Sequence, residues 1–299
     1  MQKTKEILKK IPPLRETVHW VNCSRSRAGE IIGKYIYRKE LETIRKLGSF
    51  APNTAGYYSG LEKKIHDLTL LSANQIFPLL VELSLLSGKS EKEIISAEVF
   101  CKNMQGDDSA AKLKSCFDAH KCDKALSHNY HCVYGPILKK LGTIDTLLEI
   151  GLGTTNTDVV SNMGGIWKPG ASLRAFRDFL PQTQLYGADF DKRILFEEER
   201  IQTFFVDQTD SSTLEALGEK LPHTLDLIID DGLHAPNANL AVLIFALKKL
   251  RVGGWLVIED IAEEATVIWR VTASLLSPNF QSHIIRAHGG IVFAVEKLG

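Results

Sequence analysis

Apolar residues recur at two different spacings along this chain, and the change from one to the other falls near Gly142. Before that point the spacing is helical. In the segment 27–47, Ile31, Tyr35, Leu41, Ile44 and Leu47 fall near one helical face, with Lys and Glu between them. Leu68–Leu86 is the most apolar stretch, and Asn74, Gln75, Pro78 and Glu82 interrupt it, which predicts a buried helix rather than a membrane span. Its leucines suit a core or self-association into a homo-oligomer. Ser90-Glu-Lys-Glu93 before Ile94-Ile95 reads as a capping box and predicts a helix start. Tyr57-Tyr-Ser-Gly60, after Pro52–Gly56, reads as a connecting loop.

After Gly142 the pattern changes to short apolar runs separated by helical ones. Strands are expected at 145–150, 183–188, 201–206, 225–230, 254–259, 281–287 and 290–296, with helices at 171–180, 211–219, 236–250 and 263–276. Such alternation predicts an α/β fold with a mainly parallel sheet covered on both faces. The tight turn His288-Gly-Gly290 makes the last two strands an antiparallel pair. The expected organisation is a helical N-terminal domain over 1–142, serving substrate selection or oligomerisation, and an α/β domain over 143–299.

Composition narrows the function classes only modestly. Lys plus Arg equals Asp plus Glu, at 36 each, so no overall basic charge argues for a nucleic-acid partner. The halves differ: residues 1–150 hold 23 basic and 17 acidic side chains, residues 151–299 hold 13 and 19. An acidic half suits a cationic cofactor or a metal, and equally an ordinary solvated surface. The first ten residues carry charges with no apolar stretch behind them, which is not a signal-peptide pattern. Five cysteines without framework spacing predict reduced thiols and a cytoplasmic protein. Cys116, His120, Cys122, His128, His131 and Cys132 crowd one region, but no Cys-x₂-Cys spacing of the kind zinc favours occurs among them.

The strand ends carry the chemistry. Leu147-Leu-Glu-Ile-Gly-Leu-Gly153 is an apolar strand that breaks into two glycines, where backbone can approach a ligand closely. Asp189 ends the next strand, where a carboxylate can accept ribose hydroxyl protons. The residues between, notably 154–170, form an inserted loop. Asp207 and Gln208 end the third strand and suit an adenine edge; Asp230-Asp231-Gly-Leu-His234 ends the fourth, and Glu259-Asp260 the fifth. Taken singly these acids read as N-caps or turns. Their recurrence at successive strand ends favours a shared ligand crevice.

Glu149-x-Gly151-x-Gly153 resembles motif I of class I S-adenosylmethionine (SAM) methyltransferases; Asn156 fits the nicotinamide fingerprint less well. Asp123-Lys-Ala-Leu-Ser-His128-Asn-Tyr130, Tyr134, Gly170-Ala-Ser-Leu-Arg174 and Asp230-Asp-Gly-Leu-His234 together resemble the metal-dependent sugar O-methyltransferases of the macrolide-glycoside type, over about residues 120–262. Phe176 replaces that family's usual Trp and Leu233 its usual Ser. The resemblance implies a Rossmann-like SAM methyltransferase sheet and methyl transfer to a hydroxyl of a sugar or glycosylated small molecule, assisted by Mg²⁺. It implies His234 as general base and Asp231, Glu259 and Asp260 as metal ligands, the family pattern alone choosing Asp231 over Asp230. SAM contacts are expected from Glu149, Gly151, Gly153, Ser172, Asp189, Asp207, Gln208 and Asp230. Three rivals stand beside it: a metal-independent SAM methyltransferase, a non-catalytic SAM-binding module, and a nicotinamide oxidoreductase.

Overall fold

The computed structural model describes residues 47–52, 62–164 and 168–299. The helix expected over 27–47 and the loop at 57–60 lie outside the described residues, apart from Leu47. The chain divides into two units, Met1–Leu79 and Leu80–Gly299. The change of texture at Gly142 falls inside the second unit. Helix α1 (Glu62–Leu86) runs through the division. The expectation that it is buried is corrected. Leu68, Leu79, Leu83 and Leu86 are exposed, and the span Lys64–Leu86 is, by length and composition alone, long and apolar enough to cross a membrane, with little of its most apolar stretch buried. Polar interruptions make a helix a poor membrane span but say nothing about whether other elements cover its leucines.

The second unit is built on a nine-stranded sheet among the described residues. Its strands are β1 (Ile94–Ser96), β2 (Thr146–Ile150), β3 (Gln184–Asp189), β4 (Glu197–Glu198), β5 (Ile201–Phe205), β6 (Leu225–Asp230), β7 (Leu250–Ile261), β8 (Phe280–Ala287) and β9 (Gly290–Lys297). The spatial order is β1-β8-β9-β7-β6-β2-β3-β5-β4. β2 pairs in parallel with both β3 and β6, and β6 with β7. β9 runs antiparallel between β7 and β8, as the turn at Gly289-Gly290 requires. The capping box expected at 90–93 does not start a helix. Ile94–Ser96 instead pairs in parallel with β8, and Ser96 caps the following helix by accepting from the Val99 amide. A β-branched pair beside a free sheet edge wins over local helix signals.

Alternate residues of each strand face opposite sides, so two hydrophobic layers form. Leu147, Leu227, Ile229 and Val257 pack on one face with Phe100, Phe117, Tyr134 and Phe176. These come from α2 (Ala97–Asn103), α3 (Asp107–Ala119), α5 (His131–Leu141) and α6 (Ala171–Phe179). Leu148, Ile228, Leu256 and Ile258 pack on the other with Leu214, Val242 and Trp269, from α7 (Ser211–Lys220), α8 (Pro236–Lys249) and α9 (Thr266–Leu275). Phe176 packs edge-on to Phe117 and to Tyr134, at 5.3 and 5.4 Å between ring centroids. The chain turns from β2 towards β3 on one side, while β6 lies on the other. That is the topological switch point, where a crevice opens beyond the carboxyl ends of the strands.

Candidate functional site

A cavity of about 470 Å³ occupies that crevice, lined by Gly151, Gly153, Asp189, Asp207, Asp231 and His234 among others. The size suits a ligand of cofactor dimensions. Its floor depends on glycine. Gly151 has φ +98°, and a Cβ there would lie 1.9 Å from the Asp231 carbonyl oxygen. The turn after β2 thus passes directly against the turn after β6. Amides stitch the region: Gly151 donates to the Ala188 carbonyl at 2.8 Å and Asp231 to the Ile150 carbonyl at 2.7 Å.

Asp189 lines the cavity, and both its oxygens already accept backbone amides, Oδ2 from Leu152 and Oδ1 from Asp191, each at 2.7 Å. Burial raises its pKa while those amides oppose the rise. Two residues on, Asp191 Oδ2 accepts from Thr154 Oγ1 and Asn156 Nδ2, each at 2.6 Å, tying the inserted loop to the end of β3.

Five residues expected on the cofactor also make hydrogen bonds within the protein. Asp207 lines the cavity, but its Oδ1 closes a turn on the Thr209 amide (2.9 Å) and hydroxyl (2.6 Å). Gln208 lines the cavity as well, and its amide braces the next loop: Nε2 donates to Asp230 Oδ1 at 2.6 Å and Oε1 accepts from the Leu233 amide at 2.8 Å. Asp230 is fully buried, does not line the cavity, and also accepts from Asn239 Nδ2 at 2.9 Å. Burial pushes its pKa up to about 6. Ser172 donates to Glu149 Oε2 at 2.5 Å and lines only a small adjoining cleft. Glu149 is buried beneath the turn, and burial raises its pKa to about 7 against the pull of Lys124. For the four buried ones the physical reason is shared: a buried polar group is satisfied by the protein itself.

The opposite wall is acidic. Asp231, His234 and Asp260 bring one ligand atom each within 4.8 Å of one another. His234 Nε2 lies 3.8 Å from Asp231 Oδ1 and 3.9 Å from Asp260 Oδ2. His234 and Asp260 both adopt left-handed backbone, φ +56° and +52°. Non-glycine residues there cost about 1–3 kcal/mol each and persist where surrounding structure imposes them, often at functional sites. Asp260 accepts from the Tyr130 hydroxyl. Glu259, expected beside them as a ligand, stands outside this group: it is buried, accepts from the Tyr134 hydroxyl and accepts from Lys124 Nζ at 2.5 Å. Its pKa is raised, first by burial and then by the neighbouring Asp231. Among the described residues the metal-capable group is this one, not the Cys/His-rich region, where His120 pairs with Asp178 at 2.7 Å. Cys101, Cys116, Cys122 and Cys132 are free thiols.

Residue-by-residue reading missed Lys124, Tyr130 and Tyr134, which all sit in the Asp123–Tyr134 motif yet received no role. A lysine on a four-residue helix, α4 (Asp123–Leu126), gives no local sign of burial. Its motif membership was the available signal. Burial works against its charge, but Asp231, Glu259 and Glu149 hold its pKa well above the ordinary lysine value.

No family profile matches the chain. It is 37% identical over 102 residues to mycinamicin VI 2''-O-methyltransferase of Micromonospora griseorubida, covering 33% of this chain and 25% of that protein. It is 36% identical over 119 residues to demethylmacrocin O-methyltransferase of Streptomyces fradiae, covering 38% and 27%. The chain thus spans only about a quarter of the length of these relatives. Among solved structures, the MycE methyltransferase of mycinamycin biosynthesis, in complex with Mg and SAH, superposes with a TM-score of 0.50 at 23% identity, over 62% of this chain and 55% of that one. Sheet order, glycine turn and superposition agree: the chain has the Rossmann-like fold of class I SAM methyltransferases and is similar in sequence to sugar O-methyltransferases of macrolide glycosides.

Proposed function

We propose that the protein is a SAM-dependent O-methyltransferase acting on a hydroxyl of a sugar or glycosylated small molecule, assisted by Mg²⁺, in the cytoplasm and not on nucleic acid. The observation that carries this reading is the convergence of the glycine turn and the Asp231–His234–Asp260 group on one cavity.

The donor set fits both groups. Gly151 and Gly153 turn the backbone along the cavity where a Cβ would strike the Asp231 carbonyl or the Met163 sulfur, and Asp189 presents a buried carboxylate beside them. These would hold SAM, with Glu149, Ser172, Gln208 and Asp230 supporting the turns beneath. SAM supplies an electrophilic methyl group. Two carboxylates from separate strand ends suit a hard cation that prefers oxygen. Mg²⁺ supplies charge stabilisation for a hydroxyl losing its proton. Asp231 and Asp260 would hold it, with Glu259 behind them. Because imidazole is a poor partner for so hard an ion, His234 Nε2 stays free to accept the acceptor's proton. The two walls would hold acceptor and donor on facing sides of one cavity, as an in-line displacement requires.

The test is methyl transfer from labelled SAM to a panel of deoxysugar glycosides, with EDTA and with Mg²⁺ restored. Product that disappears with EDTA and returns with Mg²⁺ is expected. Product indifferent to EDTA would favour the metal-independent reading, and SAM bound but never consumed would favour a binding module.

A further inference from the structure

Lys124 is the one cation inside the acid wall among the described residues. Its side chain is 1% exposed, and its Nζ donates to Asp231 Oδ2 at 2.6 Å and to Glu259 Oε2 at 2.5 Å. Glu149 Oε1 lies 3.5 Å from the same nitrogen. That oxygen is buried and accepts no hydrogen bond among the described residues, whereas its partner Oε2 is satisfied by Ser172. A buried carboxylate oxygen beside an ammonium, with its place unfilled, is a ready acceptor. Three N–H groups thus face three carboxylates from three strand ends; two of the pairings are close hydrogen bonds, and the third, to Glu149, is a longer ion pair at 3.5 Å.

An ion on Asp231 and Asp260 would draw on the same Asp231 carboxylate that Lys124 holds. Two cations sharing an acid compete, and the binding of one weakens the other. An N–H released from Asp231 has Glu149 Oε1 within reach. Glu149 lies under the glycine turn, so the exchange would run from the acid wall to the donor wall.

We propose that Lys124 is a positioning residue that sets the divalent-cation affinity of the acid wall, its ammonium moving from Asp231 towards Glu149 when an ion binds. The proposal rests on the metal reading above. It assigns Lys124 no contact with substrate and no part in proton transfer. What it adds is a reason for burying a lysine here: the acids stay in place without the ion, and the ion is held loosely enough to exchange.

The test uses the full chain and Mg²⁺ alone. Calorimetry of Mg²⁺ binding is run on the wild type, Lys124→Met and Lys124→Arg, and thermal melts are taken with Mg²⁺, with EDTA and with NaCl of equal ionic strength. Lys124→Met is expected to bind Mg²⁺ about 5- to 150-fold tighter than the wild type, the usual range for coupled sites. Its melting point should rise more on adding Mg²⁺. Lys124→Arg keeps the charge and should bind as the wild type does. A merely structural lysine predicts the reverse, a variant that is less stable and binds the ion no better. In case Lys124→Met does not fold, ¹⁵N-lysine-labelled wild type provides a separate readout. The buried ammonium should give a protected resonance, missing from Lys124→Arg, that shifts saturably with Mg²⁺ and not with NaCl. A resonance unmoved at saturating Mg²⁺, or equal affinity in Lys124→Met, overturns the role of Lys124 alone. A wild type that binds no Mg²⁺ overturns the metal reading and this inference with it.

Discussion

The two walls of the cavity are made of different material. The donor wall is backbone: Gly151 and Gly153 in left-handed conformations, with Asp189 clamped by two amides. The acid wall is side chain: Asp231, His234 and Asp260, backed by Glu259 and held by Lys124 and Tyr130. A backbone wall is fixed by short-range geometry and tolerates little change. A side-chain wall is fixed by charges brought together across the chain, so it can be altered one group at a time. Variants should therefore fail together on one wall and separably on the other.

The most disruptive single change should be Gly151→Ala, because that position belongs to both walls. A methyl group there would meet the Asp231 carbonyl at 1.9 Å and would hold φ +98° against its own preference. Left-handed strain alone costs about 1–2 kcal/mol for an L-residue, and the clash adds to it. The expected result is loss of measurable SAH binding and of about 2–4 kcal/mol of stability, read by calorimetry and urea unfolding. Normal SAH binding in this variant would show that the two turns are not pressed together.

His234→Ala should separate the walls. With the proton acceptor gone, kcat is expected to fall by about 10²–10⁴-fold while SAH affinity stays within about threefold of wild type. Asp189→Asn should do the opposite. A ligand hydroxyl bonded to a charged acceptor contributes about 1.5–3 kcal/mol, so losing the charge should raise the SAH dissociation constant at least about tenfold, with kcat at saturation largely kept. If both variants lose affinity and turnover in equal proportion, the comparison fails.

The same contrast explains what the sequence made legible. The glycine turn, the parallel strands and the antiparallel β9 all follow from local signals: apolar runs, two glycines one residue apart, a Gly-Gly turn. The acids at strand ends were likewise visible, because a strand end is a local feature. What each acid does was not. Asp230 and Asp231 are adjacent and chemically alike, yet one is fully buried on Gln208 and Asn239 while the other lines the cavity. Only the alternation of β6 decides between them. Lys124 finds Asp231 and Glu259 at separations of 107 and 135 residues, and nothing near Lys124 announces those partners. The strand at Ile94–Ser96 failed for a related reason: its partner β8 lies almost two hundred residues away.

Glu149 offers a pH test at the seam of the walls. Burial holds its pKa at about 7 in the folded chain, above the ~4.3 of an unperturbed glutamate. The folded state therefore keeps a proton that the unfolded state has released. Stability should fall as pH rises from about 4.3 towards 7, and the loss should be complete above it. Glu149→Gln removes that dependence, so the difference in unfolding free energy between variant and wild type should shift by about 1–3 kcal/mol between pH 4.5 and 8. A constant difference across that range would mean that Lys124 keeps Glu149 ionised throughout.

The smallest expected effect concerns the inserted loop, whose Thr154 and Asp158 line the cavity. Two acids hold it in different ways. Asp191 is buried and accepts from Thr154, Asn156 and Arg193, whereas Asp158 is 70% exposed and meets the half-exposed Arg193 at 2.9 Å. An exposed ion pair gains little because water screens it and two flexible side chains must be ordered. Asp158→Ala should therefore change stability by no more than about 1 kcal/mol and leave the SAH dissociation constant within about threefold. Thr154→Val, which removes one donor to a buried carboxylate, should cost more, about 1–3 kcal/mol. Measured side by side, the pair tests whether the loop is fastened from inside, through the end of β3, as the rest of the donor wall is. A larger effect from Asp158→Ala would place the fastening at the surface and leave the acid wall as the better-built of the two.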